Sequence, residues 1–387
     1  MSLLADSGPK AHTHSGETLV PDQSRAERTR SWQVADFPVP TGREEDWRFT
    51  PLKRLGGLHL PEGDDARLTG AAPAVTVAEQ AGVTVETVAR DDARVGSVLT
   101  PDDRVSAAAW NSVSEATVVT ISGEVAEPVR IDVVGSSADP AAMHLTVIVE
   151  ENAQADVVLA HRGTAVLAQN VEFDVRRDAR LNVVAVQAWE GDAVHVSAQQ
   201  ASVATNAHFK HVAVSYGGGV VRLTPTARFA AARGEAEMYG LYFADAGQHL
   251  ENRLFVDHNQ PDCVSNVLYK GALQGTDART VWVGDVLIRG LSEAAIARID
   301  ADAAARGTVD SVNDLGAQYA VRAMTTWLGW PAELDDTLVA WVADNNAATR
   351  SGELARTAEV AERFDARFEL ERRFPYLAHA TLAHGES

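Results

Sequence analysis

Between Asp257 and Gly271 the chain places its only cysteine, Cys263, close to Asp257, His258 and Asp262. A lone cysteine makes no internal disulfide, so its sulfur serves as a thiolate ligand, a nucleophile or a small packed hydrophobe. Pro261, Asp262 and their polar neighbours predict a turn, which is where a functional thiol belongs. His249, Glu251, Asp257, His258, Asp262 and Cys263 together bring imidazole, carboxylate and thiolate to two neighbouring strands and the turn joining them. Iron accepts all three ligand types. Cys263, His258 and Asp257 are therefore the candidate ligands for iron. His249 and Glu251 also fit a plainer description as strand-end residues that are solvated or bonded to a turn. His208 and His211, three apart on a strand, face opposite sides and do not share a metal. His12 and His14 form an H-x-H pair in a polar tail, where metal binding would be adventitious.

The elements that position these residues come from a repeat. ENAQADVVLA (151–160), RDARLNVVAV (177–186), TNAHFKHVAV (205–214) and RGEAEMYGLY (233–242) each begin with a small turn and continue as a β-rich run, at spacings of 26, 28 and 28 residues. A strand-and-turn unit of that length is the mark of a solenoid whose coils stack on one core. Valine-rich strands such as 145–149, 171–175, 212–215 and 281–283 suit a stacked sheet. The expected fold is mainly β: a right-handed parallel β-helix (β-solenoid) over 75–289. Around it the sequence predicts a disordered tail at 1–31, a small N-terminal α/aromatic subdomain at 32–74 and a C-terminal helical region at 290–387. Trp47 and Phe49 would pack the N-terminal subdomain onto the main body. Ser292 as N-cap, Ile296 and Ile299 as an apolar stripe and Gly307 as terminator predict the first C-terminal helix, with further helices around Leu315, Leu338, Trp341 and Phe364.

Composition excludes several functions. A net charge of −20 opposes binding to a nucleic-acid backbone. No apolar run approaches the ~20 residues of a membrane span, and residues 1–31 lack a secretory pattern, so a cytoplasmic protein is expected. There is no phosphate-binding loop, because Gly217-Gly218-Gly219 runs into Val220-Val221 and should simply turn. CxxC, HExxH and GxSxG motifs are absent. Any nucleotide-driven step must therefore be handled by a partner.

His258, Pro261, Cys263, Ser265, Asn266, Leu268, Tyr269, Lys270 and Gly271 form an HxxPxCxSNxLYKG block that resembles the SufB/SufD family of iron-sulfur cluster assembly, in its SufD branch. GREEDWRFTPLKRL (42–55), GLYFADAGQHLENRLFVDH (240–258) and VWVGDVLIR (281–289) resemble the same family in the same order. The resemblance implies a β-helical, non-enzymatic scaffold subunit that pairs with SufB, each of the two seated on a SufC ATPase. It also implies no intrinsic cofactor and a transient iron-sulfur cluster for which Cys263 and His258 are the candidate binding residues; one thiolate cannot hold a cluster, so the remaining ligands would come from a partner. In that family further coils, one carrying a histidine, follow the strand matching Val281–Arg289. Here Arg289-Gly290-Leu291-Ser292-Glu293-Ala294 opens the helical part at once, so the final coils are expected to be missing. Two other functions compete: an inactive member kept as an interaction module, and a β-helix enzyme acting on acidic polysaccharide.

Overall fold

The computed structural model of the protein describes residues 29–60, 67–289, 321, 336–342 and 344. The chain divides into two compact units, Met1–Leu287 and Ile288–Ser387. Residues 336–342, which include Leu338 and Trp341, are helical. Of the tail expected at 1–31, residues 1–28 lie outside the described residues, as do the other C-terminal helices.

The first unit is a stack of β-coils. In chain order its elements are β1 (Ala74–Val77), β2 (Val83–Ala89), α1 (Arg104–Ser112), β3 (Glu115–Ile121), β4 (Val129–Val149), β5 (Gln154–Val175), β6 (Arg180–Trp189), β7 (Val194–Val203), β8 (His208–Ser215), β9 (Val220–Phe229), β10 (Glu235–Ala244), β11 (His249–His258), β12 (Val264–Leu273) and β13 (Arg279–Ile288). The long strand β5 bends and serves two ladders: its first half pairs with β6 and its second half with β7, both in parallel. One ladder runs β5-β6-β8-β10-β12 and the other β5-β7-β9-β11-β13, so alternate strands of the chain fall on opposite sides of a flattened β-solenoid. Gln154, Arg180, His208, Glu235 and Val264 stand in one row, one residue from each coil. The sequence repeat is thus the pitch of the solenoid.

The parallel stack starts later than residue 75. β1 pairs antiparallel with the first half of β4 and β2 antiparallel with β3; parallel stacking begins where Thr117 of β3 meets Leu145 of β4. Neither of these hairpin-like strands carries the coil repeat.

Turn chemistry fixes where each coil of the first ladder begins. Asn152, Asp178, Asn206, Arg233 and Asp262 all have positive φ, and each precedes a small residue: Ala153, Ala179, Ala207, Gly234 and Cys263. Asn and Asp tolerate this left-handed backbone better than other non-glycine residues, while the following small side chain turns into the core. The bend within β5 uses Gly163 at φ +81, where an added Cβ would strike the carbonyl oxygen of Gly135 on the preceding coil.

The two ladders differ on their outer faces. Strands β6 and β8 alternate buried and half-buried, the pattern of a sheet with one face toward solvent. Strands β7, β9 and β11 are buried on both faces. Their cover is α1 and the segment 42–59, a strap in which Trp47, Leu55 and Leu58 pack with Val105, Val166, Val194 and Val220. Trp47 does fasten this N-terminal part to the body, whereas Phe49 is exposed. Asp103 caps α1 by accepting from the Ser106 amide at 2.8 Å.

Candidate functional site

Cys263 occupies the small-residue position of its coil turn, in line with Ala153, Ala179, Ala207 and Gly234. Its side chain is half-buried against the end of the core, and Sγ lies 3.4 Å from the Pro261 carbonyl oxygen and 3.5 Å from that of Ala231. Burial pushes the thiol above its ordinary value, and the Asp262 charge adds to this against the amides of Gly234 and Arg233. This is the environment of a resting thiol; a metal would have to supply the driving force for its deprotonation.

His258 ends β11 on the face that turns inward, where Nε2 meets Ser265 Oγ at 2.8 Å and the ring stacks 5.0 Å from Phe229. Burial lowers its pKa although Asp257 opposes the shift. Asp257 pairs in register with Arg228 and, as the strand neighbour of His258, faces the covered side. The structure therefore brings Cys263 and His258 to the same end of the coil stack and turns Asp257 away from them. The ligand atoms of the three do not gather within 4.8 Å; among the described residues the one group of three or more that does is His208, Glu235 and Glu237. His208 and His211 lie on opposite faces of β8, half-buried outward and buried inward.

His249 and Glu251 are buried, not solvated. They sit on the covered face of β11 in a buried charged cluster with Arg222 and Arg253. Glu251 accepts from Thr50 Oγ1 of the strap at 2.9 Å and contacts His249 Nε2 at 3.0 Å and both arginines at 3.4 Å. Burial alone would raise its carboxyl; His249, Arg222 and Thr50 outweigh that and hold it at about 2. The Arg222 guanidinium lies 4.2 Å from the Trp47 ring and bonds Asp103 at 3.0 Å, while Arg253 donates to the Glu45 carbonyl at 3.1 Å. The motif 42–55 thus supplies the partners of charges buried on the solenoid wall.

A second polar group lies inside the solenoid and was not evident from spacing. His161, Gln169, Gln187, His195, Ser197, Gln199 and His211 all point between the ladders and are buried. Gln169 Oε1 lies 2.9 Å from His161 Nε2 and 3.0 Å from His195 Nε2; Gln187 Oε1 lies 2.8 Å from His195 Nδ1 and accepts from the Trp189 indole at 2.9 Å. His211 Nε2 meets Gln199 Oε1 at 2.7 Å. Burial drives all three imidazoles down, His161 and His211 to about 4. Burial thus favours the uncharged ring in each of the three. The only signal in the sequence is that His and Gln recur at alternating positions otherwise held by Val, Leu and Ala.

A family model described as the SufBD core domain of SUF system FeS cluster assembly matches residues 131–303. An iron-sulfur cluster assembly SufBD family protein of Mycobacterium bovis is 51% identical over 275 residues, which is 69% of this chain and 68% of that protein. A protein of the same description from Mycobacterium tuberculosis strain H37Rv is 50% identical over 275 residues, with the same coverage of each chain. One from Mycobacterium leprae is 48% identical over 267 residues, 67% of each chain.

Proposed function

The chain belongs to the iron-sulfur cluster assembly SufBD family, and on that premise we propose that it is a non-catalytic scaffold subunit of the SUF assembly system. In this reading it is the SufD-type member, working in the cytoplasm with a SufB-like paralogue and a SufC-like ATPase. The observation that carries the reading is the 51% identity sustained over 275 residues with a SufBD family protein. Two physical features support it. The sequence has no phosphate-binding loop, so nucleotide chemistry falls to a partner. A single half-buried thiol at the end of a coil stack suits a residue that contributes one ligand to a cluster completed by another chain. The cluster is cargo in this scheme, held transiently by Cys263 and His258 with thiolates of the paralogue; Asp257, on the other face of β11, would act only through rearrangement of the strand end.

Co-expression with SufB and SufC proteins of the same organism, with the affinity tag on this chain alone, tests the proposal. SufC and SufB should co-elute in defined stoichiometry, and cluster reconstitution on the complex should fall in Cys263→Ser. Failure of both proteins to co-elute with a folded chain would remove the scaffold assignment.

A further inference from the structure

Three outward-facing side chains on the solvent-facing ladder play no part in the scheme above. His208 begins β8 and Glu235 begins β10, paired directly across the ladder. Glu237 sits two residues along β10 on the same face, opposite Lys210. One ligand atom from each of His208, Glu235 and Glu237 lies within 4.8 Å of the others. His208 Nε2 is 3.1 Å from Glu237 Oε2, Lys210 Nζ is 2.7 Å from that same oxygen, and the Tyr239 hydroxyl donates to Glu237 Oε1 at 2.8 Å. The other ring nitrogen of His208, Nδ1, is buried without a partner. The Glu235 carboxylate makes no hydrogen bond or ion pair with the described residues.

We propose that His208, Glu235 and Glu237 form a binding site for a divalent transition-metal ion, with Lys210 as the resident cation that the metal displaces. The donor set selects the class of ion. One imidazole and two carboxylates suit Mn²⁺, Fe²⁺, Co²⁺ or Zn²⁺, whereas Ca²⁺ takes six to eight oxygens and Mg²⁺ keeps most of its water. The scaffold is two hydrogen-bonded strands in fixed register, so the ligands need no refolding to converge. Tyr239 orients one Glu237 oxygen and leaves the other for the ion. The Lys210 side chain is 36% exposed, and a partly exposed ion pair is a weak competitor. Its ammonium can swing into water when a doubly charged ion takes its place. The site stands on its own geometry and does not depend on the scaffold reading.

The test is anaerobic titration of the full chain, stripped with chelator, using Co²⁺ followed by its visible ligand-field absorption and Mn²⁺ followed by calorimetry. One ion should bind. His208→Ala and Glu237→Gln should weaken binding by roughly ten- to a hundredfold, a range that even outer-shell changes reach. Lys210→Met keeps every ligand and removes the competitor, so it should bind several-fold more tightly, a gain that misfolding cannot mimic. The double variant His12→Ala/His14→Ala should bind as the parent does. Absence of binding, undiminished binding in His208→Ala, or unchanged affinity in Lys210→Met would each overturn the assignment.

Discussion

At the scale of single residues the chemistry divides by what burial leaves available. Cys263 holds a position that successive coils give to alanine or glycine, so Cys263→Ala should cost less than about 1 kcal/mol of stability, read from urea denaturation, because little beyond a half-buried sulfur is lost. A functional defect in that variant would then report on ligation and not on folding. Glu251→Gln should behave differently. It leaves Arg222 and Arg253 buried without their shared carboxylate, and breaking such a cluster costs about 3–5 kcal/mol in the same measurement. The sequence shows His249 and Glu251 as neighbours but conceals their role, because Thr50 reaches Glu251 across 201 positions of chain. Cys263 was legible as a turn residue from Pro261 and Asp262. That its thiol would be held up by burial depends on how the next coil lies against it.

At the scale of elements the turn at each coil start is the most informative feature. Asn206 has φ 54, a conformation that costs a β-branched residue about 1–3 kcal/mol. Asn206→Val should lower the thermal midpoint, while Asn206→Gly, free of that strain, should lose far less; equal losses would show that the Asn206 contact to Asp178 at 2.9 Å matters more than the backbone. The coils were legible because each repeats its turn chemistry at nearly constant spacing, and the Val-rich runs between turns left little choice but strand. Helix α1 and the antiparallel strands β1 and β2 were not legible. They occur once and carry no period, and the Asp103–Ser106 capping box that announces α1 sits within a run of small residues.

For the whole molecule, the interior imidazoles set the acid limit. His161 and His211 have folded-state values near 4 against an ordinary 6.5, so the unfolded chain binds their protons first. Their contribution is fully present above about pH 6.5 and is lost as pH falls toward 4, up to about 3 kcal/mol for each. Glu251, held at about 2, loses its contribution only below the ordinary carboxylate value of 4.5, so the interval between 6.5 and 4.5 isolates the histidines. Urea midpoints should decline across that interval, and His211→Gln should flatten the decline. The strap has a further consequence for the molecule as a unit. A solenoid whose coils touch only their neighbours frays from its ends, rung by rung. Here Thr50 grips β11, Arg54 bonds the carbonyls of Gly219 and Gly247 at 2.8 Å, and Trp47 lies on Arg222 of β9. One short segment near the start of the chain thereby clasps rungs formed some two hundred residues later, and a linear array acquires the cooperativity of a closed body: the rungs it crosses hold, or melt, together.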